Sequence, residues 1–199
     1  MSAGDPMKYF TKQLWIDAQQ PGDGTDVDRR WEEALAAYSQ ELASLRPRLA
    51  ADVFDFFQNA DVHDGALVHL QVRDFDPLAP RDDGALDDET EDASHVGPWD
   101  GPSRVAVEMR VWTRHEARDT EWTLRYGHIR RILVDFPTDR PLFFHPGDGF
   151  EDWGYHELSD AGDGFLRHEV LFSSGSIVLV EFRDVSVERV DPASPPDAT

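Results

Sequence analysis

At Ala66-Leu67-Val68-His69-Leu70-Gln71-Val72-Arg73 the periodicity of the chain changes. Ala66, Val68, Leu70 and Val72 alternate with Leu67, His69, Gln71 and Arg73, a period of two that predicts a strand with one apolar face. Before Asn59 the spacing is helical. Trp31, Leu35, Tyr38, Leu42 and Leu45 recur at steps of four and three, the stripe of an amphipathic helix, with Asp26 or Asp28 as its cap. Pro47 ends or kinks that helix and suits the first turn of a second one carrying Leu49, Val53 and Phe57.

Beyond the change, strand patterns continue. Val105, Val107, Met109 and Val111 face away from Glu108, Arg110 and Trp112, and a polar turn over 114–120 leads to alternating Trp122, Leu124 and Tyr126. Ile129, Ile132, Val134 and Phe136 run out of phase with them, and Gly127 reads as a bulge. Trp153 and Tyr155 open a short strand, Asp160 to Gly164 is a turn, and Leu166, His168, Val170 and Phe172 follow. Ser173 to Ser176 turns the chain into a last strand, Ile177 to Val190. Helices first and meandering strands afterwards predict an α+β fold: N-terminal helices packed on a curved, mainly antiparallel sheet of about six strands.

The domain expected is a single one over 7–190, with a disordered leader at 1–6 and a disordered tail at 191–199. Residues 75–102, rich in Asp, Glu, Pro and Gly, read as a mobile acidic insertion that buries too little surface to offset ordering.

Forty acidic residues against nineteen basic ones give a formal net charge of −21. Such a chain repels phosphate backbones, so no nucleic-acid partner is expected. No run approaches the length of a membrane span, no secretory leader is recognisable, and the reading is cytoplasmic. Without cysteine there is no disulfide, thiolate metal site or Cys nucleophile. Only Lys8 and Lys12 are lysines, a bias that fits a GC-rich genome; the acidity also fits a halophile, whose hydrated carboxylates are screened by salt.

Met7-Lys8-Tyr9-Phe10-Thr11-Lys12-Gln13-Leu14-Trp15, followed by a charged amphipathic helix, resembles the opening of a bacterial family of unknown function, numbered four-zero-eight-five. Val62-His63-Asp64-Gly65 entering a strand, His168-Glu169-Val170-Leu171-Phe172 in another and the closing Ile177 to Val190 fit the same family. The resemblance implies a cytoplasmic bacterial protein. It carries no activity and no catalytic residues.

Two polar groups are candidate sites. His63 and Asp64 can ligate a metal if other ligands arrive from distant segments; the alternative is a turn in which Asp64 bonds local amides and Gly65 takes positive φ. His168-Glu169 and His156-Glu157, from neighbouring expected strands, form the second group, and His168, Glu157 and Glu181 could share a face. The alternative is a core histidine with Glu169 turned to solvent. Phosphate-cradling glycine loops and nucleophile elbows are absent from the sequence. Trp112, among charged neighbours, has the composition of an interface anchor, the alternative being that a helix covers that face and makes it core; Asp87, Asp88, Glu89 and Glu91 have the composition of an electrostatic lure.

The function expected is therefore a non-catalytic, immunity-like or antitoxin-like module that binds a basic protein, with no cofactor and no resident metal. The competing expectation is a metal-dependent hydrolase built on His63, Asp64, His168 and Glu169.

Overall fold

The computed structural model describes residues 7–20, 25–74, 105–115, 118–136 and 149–190, and the side chains of His115 and Arg118 are not among what it describes. The expected leader, the acidic insertion and the tail lie outside these residues. Helices α1 (Lys12–Ala18), α2 (Thr25–Leu45) and α3 (Ala51–Asn59) come first, with a short 3-10 turn at Arg46–Arg48 holding Pro47. Thr11 caps α1 by accepting the Leu14 amide. Asp26 and Asp28 lie in the first turn of α2 rather than at its cap, where they still favour the positive end of the helix.

Among the described residues eight strands follow: β1 (Gly65–Asp74), β2 (Val105–His115), β3 (Arg118–Gly127), β4 (Arg131–Asp135), β5 (Asp152–Gly162), β6 (Phe165–Phe172), β7 (Ile177–Phe182) and β8 (Asp184–Val190). They form one antiparallel sheet in the order β4-β7-β6-β5-β1-β2-β3-β8. The α+β class holds, but the sheet has eight strands where about six were expected. The last expected strand is split at Arg183: β7 pairs with β6 and β4, while β8 pairs with β3 at the other end of the sheet. Ile132 and Val134 belong to β4, an edge strand against β7, separated from β3 by a turn at His128 with φ 51°.

The sheet curls strongly without closing. Tyr126 on β3 and His168 on β6 are four strand positions apart, about 19 Å in a flat sheet. Their side chains nonetheless lie 2.6 Å apart. The continuous path through Arg183 draws the two halves together, and the core fills the concave side: Val107, Met109, Leu124, Leu158, Val170, Phe172, Val180 and Phe182 are buried there with Phe56 and Phe57 of α3.

A bulge resets β1. Leu67 pairs with Val111 and His69 with Arg110, so Val68 is the extra residue. The expected apolar face is therefore wrong in its first half: Leu67 turns to the core while Val68 is exposed.

β5 pairs with β1 only at Gly65 and Ala66. Beyond that point its edge is covered by α2: the Leu158 amide donates to the Tyr38 hydroxyl at 3.3 Å and the Asp160 amide to Glu41 at 3.2 Å. Side chains of a helix thus do what a neighbouring strand would do. Glu41 also accepts from Lys8 Nζ and Tyr9 OH at 2.8 Å each, and these bonds, Lys8 first, hold its carboxyl below the usual glutamate range. Of the α2 stripe, Tyr38, Leu42 and Leu45 are buried, Trp31 is half-buried, and Leu35 stays 45% exposed.

The N-terminal segment is bound to the sheet by Glu157. Its fully buried carboxylate accepts the main-chain amides of Lys8 at 2.5 Å, Tyr9 at 2.9 Å and Phe10 at 3.3 Å. Glu157→Ala orphans all three amides and should cost about 2–5 kcal/mol. Glu157→Gln keeps one acceptor oxygen and should cost about 1–2 kcal/mol. Urea denaturation checks both, and equal, negligible losses would show the segment to be held by its side chains alone.

Candidate functional site

A cavity of about 270 Å³ opens where α2, the end of α3, residues 60–63 and β5 meet. Its walls include Phe10, Tyr38, Leu42, Phe57, Val62, Tyr155 and His156, with Leu35, Asp61 and His63 also lining it. Each wall has a local cause. Phe10 is placed by the Glu157 clamp and packs on Trp31, Tyr38 and Tyr155 at 5.3–5.7 Å between ring centres. Gly154 is the extra residue of a bulge in β5, since Trp153 pairs with Phe172 and Tyr155 with Leu171. A Cβ at Gly154 would stand 2.9 Å from the Leu171 carbonyl oxygen, so no other residue fits without a shift. The bulge puts Trp153 and His156 on the same side of the sheet, 5.6 Å apart.

Behind His156 runs a buried polar chain. His156 Nδ1 is 3.2 Å from His168 Nε2, and His168 Nδ1 is 2.6 Å from the Tyr126 hydroxyl. Phe57 stacks on His156 at 5.5 Å and meets His168 edge-on at 4.9 Å. Burial pushes the Tyr126 phenol up, His156 down to about 4, and His168 well below its ordinary value, so all three are neutral at pH 7. The phenol makes no second hydrogen bond among the described residues, and its proton avoids being stranded only by donation to His168 Nδ1. His168 then carries its proton on Nε2 and donates to His156 Nδ1. This leaves the remaining proton of His156 on Nε2, at the end of the ring away from His168, and the ring is part of the cavity lining.

The residues singled out from sequence are not brought together. His63 and Asp64 pair with each other at 2.9 Å at the mouth of the cavity, and His63 lies edge-on to Tyr155. Asp64 takes the positive φ, 60°, that was expected of Gly65. Gly65 is needed for close approach instead: a Cβ there would lie 2.9 Å from Val62 O and from Thr113 Cγ2. His168 is fully buried on the concave side opposite Leu158 and Val180. Glu169 alternates to the other side, opposite Glu157, and is 1% exposed, so it does not point to solvent. Glu157 and Glu181 share that second side and not that of His168. Among the described residues no group of three or more His, Asp or Glu could hold a metal ion.

Glu181 has its own purpose. Burial, the largest influence, raises its pKa, but Arg167 at 2.7 Å and Arg130 at 2.9 Å outweigh it and hold the carboxyl below its ordinary range. His156, noticed in the sequence only as a His-Glu doublet beside His168-Glu169, lines the cavity together with His63.

Trp112 stands on the convex side of β1, β2, β3 and β8. The register puts Gln71, Glu108, Arg125 and Ser186 in one row of that side, His69, Arg110, Thr123 and Glu188 in the next, then Ala66, Trp112, Glu121 and Val190. Its charges are paired: Arg125 with Glu108 at 3.0 Å and Glu188 at 2.8 Å, Arg110 with Glu121 at 3.3 Å, and Arg114 lies over the Trp112 ring at 5.0 Å. The helices pack elsewhere, α2 along β5 and α3 against β8, where Phe56 meets Trp122 from the concave side. The acids Asp87, Asp88, Glu89 and Glu91, expected to act as a lure, lie outside the described residues.

No family model, curated protein or solved structure matches the chain. No helix among the described residues is long and apolar enough to cross a membrane.

The neutral histidines set an acid limit. Their folded pKa values lie below the unfolded one, near 6.5, so they contribute stability above that pH and lose it as pH falls toward about 4. Unfolding free energy should drop by up to about 1.4 kcal/mol per pH unit for each histidine across this window. Glu41 and Glu181, whose pKa values are lowered, add their losses only below the ordinary glutamate range. Denaturation at stepped pH should show a shallower slope in His156→Phe, and an unchanged slope would place the acid sensitivity elsewhere.

Proposed function

We propose that the protein is a non-catalytic binding module, immunity-like or antitoxin-like, that engages a basic protein through the convex side of β1, β2, β3 and β8. The observation that carries this reading is Trp112 on a four-strand surface where no described helix packs, held among ordered ion pairs. An aromatic ringed by fixed charges is the composition of an interface anchor: the ring supplies area, and the charges set orientation. The net charge of −21 favours a basic partner and speeds encounter.

The non-catalytic half of the reading has separate support. A general acid or base works best with a pKa near the operating pH. Of the two histidines that line the cavity, His63 is paired with Asp64 at its mouth and His156 is held at about 4, while His168 is enclosed behind His156. A cytoplasmic bacterial setting, as the family resemblance implies, belongs to the same proposal.

The test is a biosensor measurement against the basic products of the adjacent genes. Association should slow as added salt shortens the Debye length from about 30 to 8 Å. Trp112→Ala should raise the dissociation rate about tenfold or more and change association little. Binding that ignores both salt and Trp112 would overturn the reading and leave the acidity to solubility in a saline cell.

A further inference from the structure

The cavity at His156 supports an inference that does not depend on the sheet surface. We propose that it binds an uncharged, single-ring aromatic molecule carrying a carbonyl or amide oxygen, with that oxygen accepting the Nε2–H of His156. Size, lining and polarity each select part of this description. A dry cavity of roughly 150 Å³ is enough to hold benzene. About 270 Å³ therefore takes one ring with a small substituent, and is below the range of most drug-sized ligands.

Aromatic walls select the ring. Phe10, Tyr38, Phe57 and Tyr155 offer faces and edges from separate elements. The donor selects the oxygen. His156 uses Nδ1 toward His168, and no described residue accepts from Nε2. The direction of the chain is fixed from behind by Tyr126, whose only acceptor among the described residues is His168 Nδ1. The cavity thus presents a donor, and a ligand offering a second N–H at that place is rejected.

Charge selects neutrality. Asp61 lines the cavity and Asp64 sits beside His63 at its mouth, within a chain of net charge −21. A carboxylate ligand would satisfy the donor but meet this field, while an apolar ring would fit the walls and leave the donor unsatisfied.

The experiment uses the full chain labelled with nitrogen-15 in histidine, titrated with benzamide, benzoate and toluene. Before ligand is added, the spectrum should show His156 protonated on Nε2. Benzamide should shift that nitrogen in a saturable way, with benzoate at least ten-fold and toluene at least five-fold weaker. His156→Phe should remove the preference for benzamide over toluene, and His156→Gln, which keeps an N–H, should restore part of it. The wild-type measurements stand alone if a variant fails to fold. A proton on Nδ1, no saturable shift with millimolar benzamide, or equal affinity for all three probes would overturn the proposal.

Discussion

A buried carboxylate gripping three successive main-chain amides organises the helical side of this protein. Glu157 lies in the middle of β5, and the amides it holds belong to residues about 150 positions earlier in the chain. Burial raises its pKa, and the Lys8, Tyr9 and Phe10 amides pull it back only in part. The ionised clamp therefore costs some stability as pH rises above the ordinary glutamate range. What it returns is position. With the segment fixed, Phe10 reaches Trp31, Tyr38 and Tyr155, Lys8 and Tyr9 reach Glu41, and Lys12 Nζ reaches the Gly175 carbonyl. The most distinctive stretch of the sequence, residues 7–15, thus has a structural explanation: it is a strap across the sheet.

The two sides of β5 and β6 carry opposite solutions to buried polarity. On one, Glu157 and Glu181 keep carboxylates by giving them amides and guanidinium groups. On the other, His156, His168 and Tyr126 hydrogen-bond only to one another among the described residues, and so remain neutral. Cross-strand alternation decides which residue meets which environment. Neighbours in sequence such as His168 and Glu169 therefore cannot form one site.

Residues with a clean period are legible in the sequence. The α2 stripe, the inward Val107-Met109-Val111 row and the outward Trp112 follow from spacing alone. Errors gather where one residue breaks the period. The bulge at Val68 reverses half of β1, and the bulge at Gly154 hides the link between Trp153 and His156. A single residue, Arg183, separates two strands that read as one because both are continuous in β-propensity. Long-range partners leave still less trace. Nothing local to Glu157 announces that it will bind amides from the N-terminus, or local to Tyr126 that the sheet will curl to bring it to His168. Leu35 shows the converse: its helical phase is right, but the space beneath it is the cavity, so the residue stays exposed.

That space persists because its walls are anchored independently. Collapse from the N-terminal side would require Phe10 to move, which the Glu157 amide bonds resist. Collapse from α2 would break the Tyr38 bond to the Leu158 amide and the Glu41 bond to the Asp160 amide, both of which cover an otherwise open strand edge. Collapse from β5 would have to undo the bulge at Gly154, whose close approach to the Leu171 carbonyl leaves little freedom. From the α3 side, Phe57 is held between the two histidines. A packing defect bounded by elements that each satisfy their own polar groups cannot be closed cheaply by moving any one of them. The cavity is therefore a consequence of how the helices, strap and sheet are joined.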